Sequence, residues 1–262
     1  MHDLTVLVLV PNAKDKLRRC LESVAWADAI FCVVDSRTDD GSAEIAHELA
    51  TRVETREFIN DANQRNWAIP QITTEWTLVL DADEWLSDEL VEKIKSILRE
   101  DSAIDGYEIR RRSYFFGKLM NHCGWHHDYN WRLFRSGKGR YIEQRVHSRV
   151  VIDGPEGSIH EHMYHDTYST FEEYFATLQR YSRLGAEDYF EQGRRAHLSD
   201  LTLRPVLAWF KMYIIRHGFM DGYHGAVLCA LSSCSVFLKY AKLWNLERLE
   251  KLDGDHLQLS EK

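Results

Sequence analysis

The sequence predicts an α/β fold built on a mostly parallel sheet and followed by a helical C-terminal region. Through the first hundred residues, short β-rich apolar runs alternate with helical patterns, which is typical of strand–helix–strand units. Beyond Thr170 the spacing becomes helical to the end. A chain of 262 residues that is 44% apolar can bury a sizeable core. We therefore expect one main domain over residues 1–165 and a helical extension over residues 166–262.

Each predicted element follows from the spacing of apolar residues. The run 4–10 predicts a buried first strand, and further strands are predicted at 29–34, 53–58 and 76–80. Helical spacing predicts helices over 14–25, 42–50 and 62–69, the last stopped near Pro70. Ser87 is expected to cap a fourth helix, whose first turn is acidic. From residue 106 to about 165 the pattern predicts short strands and turns.

Composition and charge exclude some classes of protein. The formal charge of −8 offers no general attraction to nucleic acid. Five cysteines without a CxxC pair argue against a disulfide framework and favour a reducing, cytoplasmic compartment. We expect no secretion signal, since the first apolar run has no basic region before it. The apolar stretch 225–238 falls short of the ~20 residues that a membrane-spanning helix needs.

Polar residues follow several predicted strands, where ligands bind in open α/β sheets. Asn12 follows strand one and Asp35 follows strand two, while Asp81 and Asp83 follow strand four. Residues two apart at a strand end project to the same side. The last two can therefore converge on Mg²⁺ or Mn²⁺, or on one cation and a ribose. The alternative is that this acidic pair only caps the following helix.

Other polar residues leave their roles open. His122, His126 and His127 could suggest zinc, but no HExxH or Cys/His spacing supports a four-ligand site. These histidines are equally consistent with a polar loop or a substrate groove. Asp40 and Arg65, taken alone, are interpreted as solvated surface charges.

Several motifs together resemble glycosyltransferase family 2, with the GT-A fold, and within it bacterial lipopolysaccharide-core β-1,4-glucosyltransferases. The resemblance covers nearly the whole chain. The motifs that match, which together are specific for the family, are Cys20-Leu21-Glu22-Ser23-Val24, Trp26-Ala27-Asp28, Val33-Val34-Asp35-Ser36, Asp40-Gly41-Ser42, Gln64-Arg65-Asn66-Trp67-Ala68, Leu80-Asp81-Ala82-Asp83-Glu84, Gly124-Trp125-His126-His127-Asp128-Tyr129, Arg132-Leu133-Phe134-Arg135, Arg145-Val146-His147 and Tyr240-Ala241-Lys242-Leu243-Trp244.

The resemblance implies inverting transfer of a hexose from a nucleotide-sugar, by default a UDP-sugar, to a hydroxyl of a cell-surface glycan or glycolipid such as a lipopolysaccharide core. Asp35 would read the nucleoside, and Asp40 and Arg65 would line the donor pocket, with Asn12 beside them. Asp81 would meet the ribose or sugar, and Asp83 would hold Mn²⁺ or Mg²⁺. The chain departs from the usual family pattern at Val10-Pro11-Asn12-Ala13 and at Arg37, where a glycine is usual.

The predicted general base is Asp128, since the family carries its catalytic aspartate ahead of an Arg-Leu pair and a turn glycine, the order found in Asp128-Tyr129-Asn130-Trp131-Arg132-Leu133-Phe134-Arg135-Ser136-Gly137. Aromatic neighbours, Trp125 among them, suggest a partly apolar acceptor groove that raises its basicity. Arg132 would steady the leaving diphosphate, and His147 would help to bind acceptor. Alternatively Asp128 braces the loop by pairing with Arg132 or a histidine. Glu84, His147 and Glu143 are reserve bases.

Two other classes of protein remain as alternatives. A nucleotidyltransferase or phosphatase would be expected to show a Gly-rich phosphate loop or a nucleophilic aspartate motif, and the sequence has neither. A non-catalytic sugar-binding module on the same fold is permitted by the altered segment after strand one.

In the C-terminal region, Arg204, Lys211 and Arg216 alternate with aromatic and aliphatic residues. This pattern suits either peripheral contact with anionic lipid on the inner face of the cytoplasmic membrane or a helix packed on the core.

Overall fold

A computed structural model describes residues 3–100, 102–126, 128–142 and 149–260, with side chains as far as residue 252. The strands are β1 Leu4–Val10, β2 Ala29–Asp35, β3 Arg52–Arg56, β4 Trp76–Asp81, β5 Glu84–Leu86, β6 Gly106–Phe115, β7 Lys118–Leu119, β8 Asp128–Arg135, β9 Gly139–Ile142, β10 Arg149–Ile152 and β11 Glu156–Tyr168. The helices are α1 Lys14–Ser23, α2 Ser42–Leu49, α3 Asp61–Ala68, α4 Asp88–Arg99, α5 Phe171–Glu191, α6 Leu198–Phe210 and α7 Gly222–Ser260. Short 3₁₀ segments cover Ile69–Gln71 and Gly218–Asp221, and Lys211–Ile215 is π-helical.

The chain divides into two compact units. The first contains the chain up to Tyr114 together with His126–Thr167, and the second contains Phe115–Trp125 together with the chain from Tyr168. The segment 115–125 belongs to the helical unit because Phe115 and Cys123 are fully buried in a cluster with residues of α5 and α7. The predicted boundary near residue 165 follows the start of helical spacing. It therefore leaves the segment 115–125 in the first domain.

The main sheet of the first unit runs in the order β3-β2-β1-β4-β8-β6-β11-β5. The first four of these strands are parallel, whereas β8 is antiparallel to both β4 and β6. Every residue of β1 is buried. Its alternate side chains enter two different clusters, one with α1 and α4 and the other with α3, so the sheet is covered on both faces. The predicted α/β fold with a mostly parallel sheet is confirmed.

The predicted strands and helices of the first hundred residues are all present, with ends shifted by a few residues. The Ser87 hydroxyl accepts a hydrogen bond from Leu90 N at 3.2 Å and caps α4 as expected. The expectation of only short strands after residue 106 is wrong, because β6 has 10 residues and β11 has 13. Both strands carry many half-buried polar residues, so their sequences lack the apolar runs that mark the central strands.

The second unit is mainly helical, as the sequence predicts. Helix α7 packs against α5 and α6. By length and composition, the stretch Gly218–Leu252 would be apolar enough to cross a membrane, a test that core helices of soluble proteins also pass. The stretch 225–238 was expected to be too short to span a bilayer, because serines interrupt its apolar residues. Mean hydropathy over a longer window tolerates those serines.

Candidate active site

Polar side chains tie together the two loops that follow β1 and β2. Asn12 exchanges hydrogen bonds with Asp39, donating to its carboxylate at 2.9 Å and accepting from its backbone N–H at 3.0 Å. The Asp40 carboxylate accepts from Lys14 N at 2.9 Å and from the Ser42 hydroxyl at 2.6 Å. Burial raises the pKa of Asp40, but the Ser42 bond and backbone donors outweigh it and lower the pKa. These contacts fix the loops at the carboxyl ends of the parallel strands.

Asp35, the last residue of β2, is held by the arginine at the position of the usual family glycine. The Arg37 guanidinium donates to both Asp35 carboxylate oxygens, at 3.1 and 2.9 Å, and also to Phe58 O at 3.0 Å. The hydrogen bond from Arg37 is the largest cause of the lowered pKa of Asp35. The carboxylate predicted to read the nucleoside therefore has an exposed cation as its partner.

Asp81, the last residue of β4, lies between two buried arginines. Arg65 from α3 donates to Oδ1, and Arg132 from β8 donates to Oδ2 at 2.7 Å. Burial alone would raise the pKa of Asp81, but the guanidiniums of Arg132 and Arg65 hold it well below its usual range. Both arginines are 5% exposed. The interpretation of Arg65 as a solvated surface charge is therefore wrong, since a strand-end carboxylate compensates its burial.

Glu84 continues this arrangement on the other side of Arg132. Its fully buried carboxylate accepts from Arg132 at 2.7 Å, from Arg111 at 3.1 Å and from Asp81 N at 3.0 Å. Arg111, on β6, also pairs with Asp128 at 2.7 Å. The result is a chain of alternating charges, Arg65–Asp81–Arg132–Glu84–Arg111–Asp128, which we call the charge chain.

Asp128 is the exposed end of the charge chain. It lies directly opposite Arg111 across the β6–β8 ladder, and 36% of its side chain is exposed. Oδ2 accepts from Arg111, while Oδ1 accepts from Asn130 Nδ2 at 3.1 Å. The alternative role of Asp128, bracing the loop, predicts a pair with Arg132 or a histidine. The observed partner of Asp128 is Arg111. An ionised carboxylate accepts about four hydrogen bonds, so Oδ1 can still receive a proton.

Asp83 stands apart from the charge chain although it is only two residues from Asp81. His165 Nε2 lies 3.3 Å from Asp83 Oδ2. The other ring nitrogen, Nδ1, lies 3.0 Å from the Thr167 hydroxyl. Because Ser87 caps α4, Asp83 is not a helix cap. The turn thus presents one carboxylate paired with two arginines and one carboxylate that faces an oriented imidazole.

Three buried polar atoms near Asp81 have no hydrogen-bond partner in the described structure, namely Arg65 Nε, Arg132 Nε and Tyr141 Oη. Arg65 lies 4.9 Å above the Tyr141 ring. Tyr141 is held in turn by Asn66, which bonds its backbone N–H and carbonyl at 2.9 and 2.7 Å. Buried donors without partners are costly, so these side chains have unused capacity for hydrogen bonds.

The remaining predicted residues belong to the second unit or lie outside the described residues. Trp125 belongs to the second unit, where its ring meets Phe115 edge-on at 6.0 Å. His127, His147 and Glu143 lie outside the described residues. In the part of the chain that is described, no group of three His, Cys, Asp or Glu residues is arranged to hold a metal ion.

Sequence reasoning missed Arg111 and His165. Both lie on antiparallel strands whose pairing brings them to the site, Arg111 opposite Asp128 and His165 opposite Glu84. The only sequence signal for His165 was its place in a histidine-rich region, and Arg111 had none, being one of three consecutive arginines.

Comparison with known proteins supports an enzyme of the kind suggested by the motifs. The lipopolysaccharide core biosynthesis glycosyltransferase LpsC of Rhizobium meliloti (strain 1021) is 27% identical, over 91% of this chain and 93% of its own. An uncharacterised glycosyltransferase of Rickettsia felis is 24% identical, over 93% and 90%. The crystal structure of S. aureus TarS 1-349 in complex with UDP-GlcNAc has a TM-score of 0.50 and 11% identity, over 95% and 92%, and shares the fold.

Residues 5–152, more than half of the chain, match the sequence profile of Glycosyl transferase family 2. This range contains the charge chain and the strand-end residues Asn12, Asp35, Asp40 and Asp83. The chain therefore belongs to glycosyl transferase family 2 and is a glycosyltransferase.

Proposed function

We propose that this protein transfers a hexose from a UDP-sugar to a hydroxyl of a glycolipid or cell-surface glycan such as a lipopolysaccharide core. The transfer inverts the configuration of the anomeric carbon. The observation that carries the proposal is the charge chain, which leads from the donor-side strand ends to an exposed carboxylate. The acceptor class rests on similarity to the lipopolysaccharide core biosynthesis glycosyltransferase of Rhizobium meliloti, and the choice of UDP rests on the resemblance of the motifs.

The donor is expected to lie across the carboxyl ends of β1, β2 and β4. Asp35 and Asp81 end strands that flank β1, and this places them about 10 Å apart at the usual strand spacing. That span suits a nucleoside, with Asp35 at the base and Asp81 at the ribose or sugar. The unpartnered nitrogens of Arg65 and Arg132 would then meet oxygen atoms of the donor. Asn12 and Asp40 hold the surrounding loops.

The donor set at Asp83 fits Mn²⁺ or Mg²⁺ completed by diphosphate oxygens. A carboxylate oxygen and an imidazole nitrogen lie 3.3 Å apart, and the carboxylate is a ligand that suits Mn²⁺ and Mg²⁺. The Thr167 hydroxyl orients the ring through Nδ1, as partners of metal-binding histidines commonly do. When bound, the cation would neutralise charge on the departing diphosphate. Asp81, whose oxygens are taken by two arginines, is the weaker candidate for a second ligand.

Asp128 is proposed as the general base. Its carboxylate is partly exposed, and Arg111 and Asn130 fix its orientation. Oδ1 would take the proton of the acceptor hydroxyl as its oxygen attacks the anomeric carbon. Glu84 is a poor substitute, because it is fully buried and held by two arginines. Arg132 is buried against Asp81 and Glu84, so its support of the diphosphate would come through Nε.

The decisive experiment is transfer from radiolabelled UDP-hexoses, with and without EDTA, to lipopolysaccharide-core acceptors of defined truncation. We expect EDTA-sensitive transfer to one truncated core, with the new linkage of opposite anomeric configuration to the donor. Transfer that ignores EDTA would contradict the metal, and a retained anomeric configuration would contradict direct displacement. Binding of sugar without any turnover would favour the non-catalytic module instead.

Contact with the cytoplasmic face of a membrane is part of the proposal. Exposed apolar residues follow helical spacing along α6 and its π-helical continuation, at Leu203, Leu207, Phe210 and Ile214, each 41–54% exposed. We call this row the apolar stripe. Trp209 and Tyr213 instead stack on each other at 4.8 Å and pack inward. Exposed apolar surface beside Arg204 and Lys211 suits an anionic lipid surface. A protein that never floats with anionic liposomes, whatever the salt, would contradict this.

A further inference from the structure

The second unit contains a cavity of about 300 Å³ that the transfer reaction does not use. It lies between the end of α5, the segment joining α5 to α6, and α7. Its walls include two tyrosines, and three of its lining residues are arginines, Arg194, Arg195 and Arg204. A volume of this size is at the lower end for small-molecule sites.

The turn after α5 directs two of these arginines. Gly193 has φ of +73°, a left-handed conformation that ends the helix. Arg194 N then donates to Tyr189 O at 2.9 Å, which folds the chain back over α5. The guanidinium of Arg194 lies 4.5 Å above the Tyr189 ring, and that of Arg195 lies 5.0 Å above Phe190. Stacking restricts both side chains, and Arg195 also donates to Arg194 O at 3.2 Å.

Helices α6 and α7 contribute further lining residues. The guanidinium of Arg204 on α6 lies 5.2 Å from the centre of the Tyr240 ring on α7. The lining carboxylate, Asp200, already accepts from Arg204 and from His197 N at the start of α6. It therefore has little remaining capacity to neutralise the other arginines.

The charges of the cavity do not balance. Three arginines and one aspartate line it. Arg195 pairs with Glu250 at 3.1 Å, but both side chains are about half exposed, and such pairs are weak. Arg194 has no carboxylate partner among the side chains that the structure describes. The site thus offers guanidinium donors that an incoming anion can engage without breaking a buried ion pair.

We propose that this cavity binds a phosphate group through Arg194 and Arg195, with Arg204 at its edge. The planar guanidinium fork matches phosphate oxygens in pairs. Arg204 immediately follows Leu203 of the apolar stripe, so a membrane in contact with the stripe would supply the phosphate as a lipid headgroup. A soluble phosphate compound carries the same chemistry.

The test compares two double variants of the full-length protein with equal changes of charge. R194Q/R195Q removes the proposed ligands, whereas R180Q/R183Q removes two exposed arginines of α5 that do not line the cavity. Binding is measured by calorimetry with inorganic phosphate and by flotation with phosphatidylcholine vesicles with and without phosphatidic acid. Turnover and thermal melting are measured on each variant.

We expect R194Q/R195Q to weaken binding of inorganic phosphate, of phosphatidic acid vesicles or of both by about tenfold or more, as loss of charge-assisted bonds implies. R180Q/R183Q should bind both probes like the native protein, and turnover should be unchanged in both double variants. An effect on phosphate itself identifies a free anion as sufficient, and an effect on vesicles alone identifies the headgroup. If the native protein binds neither probe, or if both double variants lose binding equally, the proposal is wrong. Should R194Q/R195Q melt early, the single variant R194Q, which breaks no ion pair, decides the question by the same criteria.

Discussion

The charge chain of the first unit and the arginine-lined cavity of the second unit both concentrate guanidiniums, but they balance them differently. In the charge chain, Arg65, Arg132 and Arg111 each meet at least one carboxylate. In the cavity, the arginines are exposed and outnumber the lining carboxylate. Matched charges make a rigid frame that orients other groups, whereas unmatched charges are available for a ligand. The two regions should therefore respond to mutation in different ways.

The largest effect is expected at the exposed end of the charge chain. Asp128→Asn keeps the shape and removes the basicity of the side chain, so turnover should fall by about 10²–10⁴-fold. Steady-state kinetics would measure it, with UDP affinity unchanged. Asp153→Asn makes the same chemical change in an exposed turn and should have no effect. Near-native turnover of the Asp128 variant across the pH range would place the base elsewhere.

Breaking the middle of the charge chain should act on stability. Glu84→Gln removes the carboxylate shared by buried Arg132 and by Arg111, whose side chain is 20% exposed. Loss of one partner of a buried ion pair costs up to about 3–5 kcal/mol. Denaturant unfolding would show this as a lower midpoint. The matched control is Glu48→Gln, which breaks an exposed pair with Arg18 and should hardly move it. Equal midpoints for the two variants would mean that the charge chain is not a frame.

Substitution of Asp83 or His165, which lie outside the charge chain, should weaken metal binding and leave the fold unchanged. Asp83→Ala, and likewise His165→Ala, should weaken Mn²⁺-dependent UDP binding at least about tenfold, because loss of even a hydrogen-bond partner of a metal ligand costs about 10–100-fold. Since 30% of the Asp83 side chain is exposed, its removal should leave the unfolding midpoint nearly unchanged. Titration calorimetry with UDP, with and without Mn²⁺, separates the Mn²⁺-dependent part of the UDP affinity from the part that needs no metal. Unchanged Mn²⁺-dependent affinity would contradict the assignment.

The smallest effect is expected at Arg37, which forms an exposed ion pair with Asp35 at the donor edge. Arg37→Ala frees the Asp35 carboxylate and should strengthen UDP binding about two- to fivefold, the range of an exposed ion pair. Asp35→Ala should weaken UDP binding and leave metal binding without nucleotide unchanged. Equilibrium measurements of UDP affinity test both variants. Weaker UDP binding in both of them would show that Arg37 itself holds the nucleotide.

The central strands and the strand-end aspartates were predictable, because apolar runs bounded by polar turns identify buried parallel strands and their carboxyl ends. The partners of those aspartates were not. Arg111 and His165 reach the site only through antiparallel pairing over long separations in sequence, and local spacing carries no record of such pairing. Burial of Arg65 was missed for a related reason, since it depends on a carboxylate 16 residues away.

Pairing between β6 and β8 skips one residue. Tyr107 faces Leu133 and Glu108 faces Trp131, so Arg132 is the extra residue of a β-bulge, a device that redirects a side chain. Single-residue insertions or deletions between positions 128 and 134 would therefore exchange which face of the sheet carries the base and which carries the apolar core. Relatives of this protein should vary freely in the length of the loop before Asp128 but keep a constant spacing from Asp128 to Phe134. That spacing gives alignments of this family a physical anchor where the surrounding sequence has diverged.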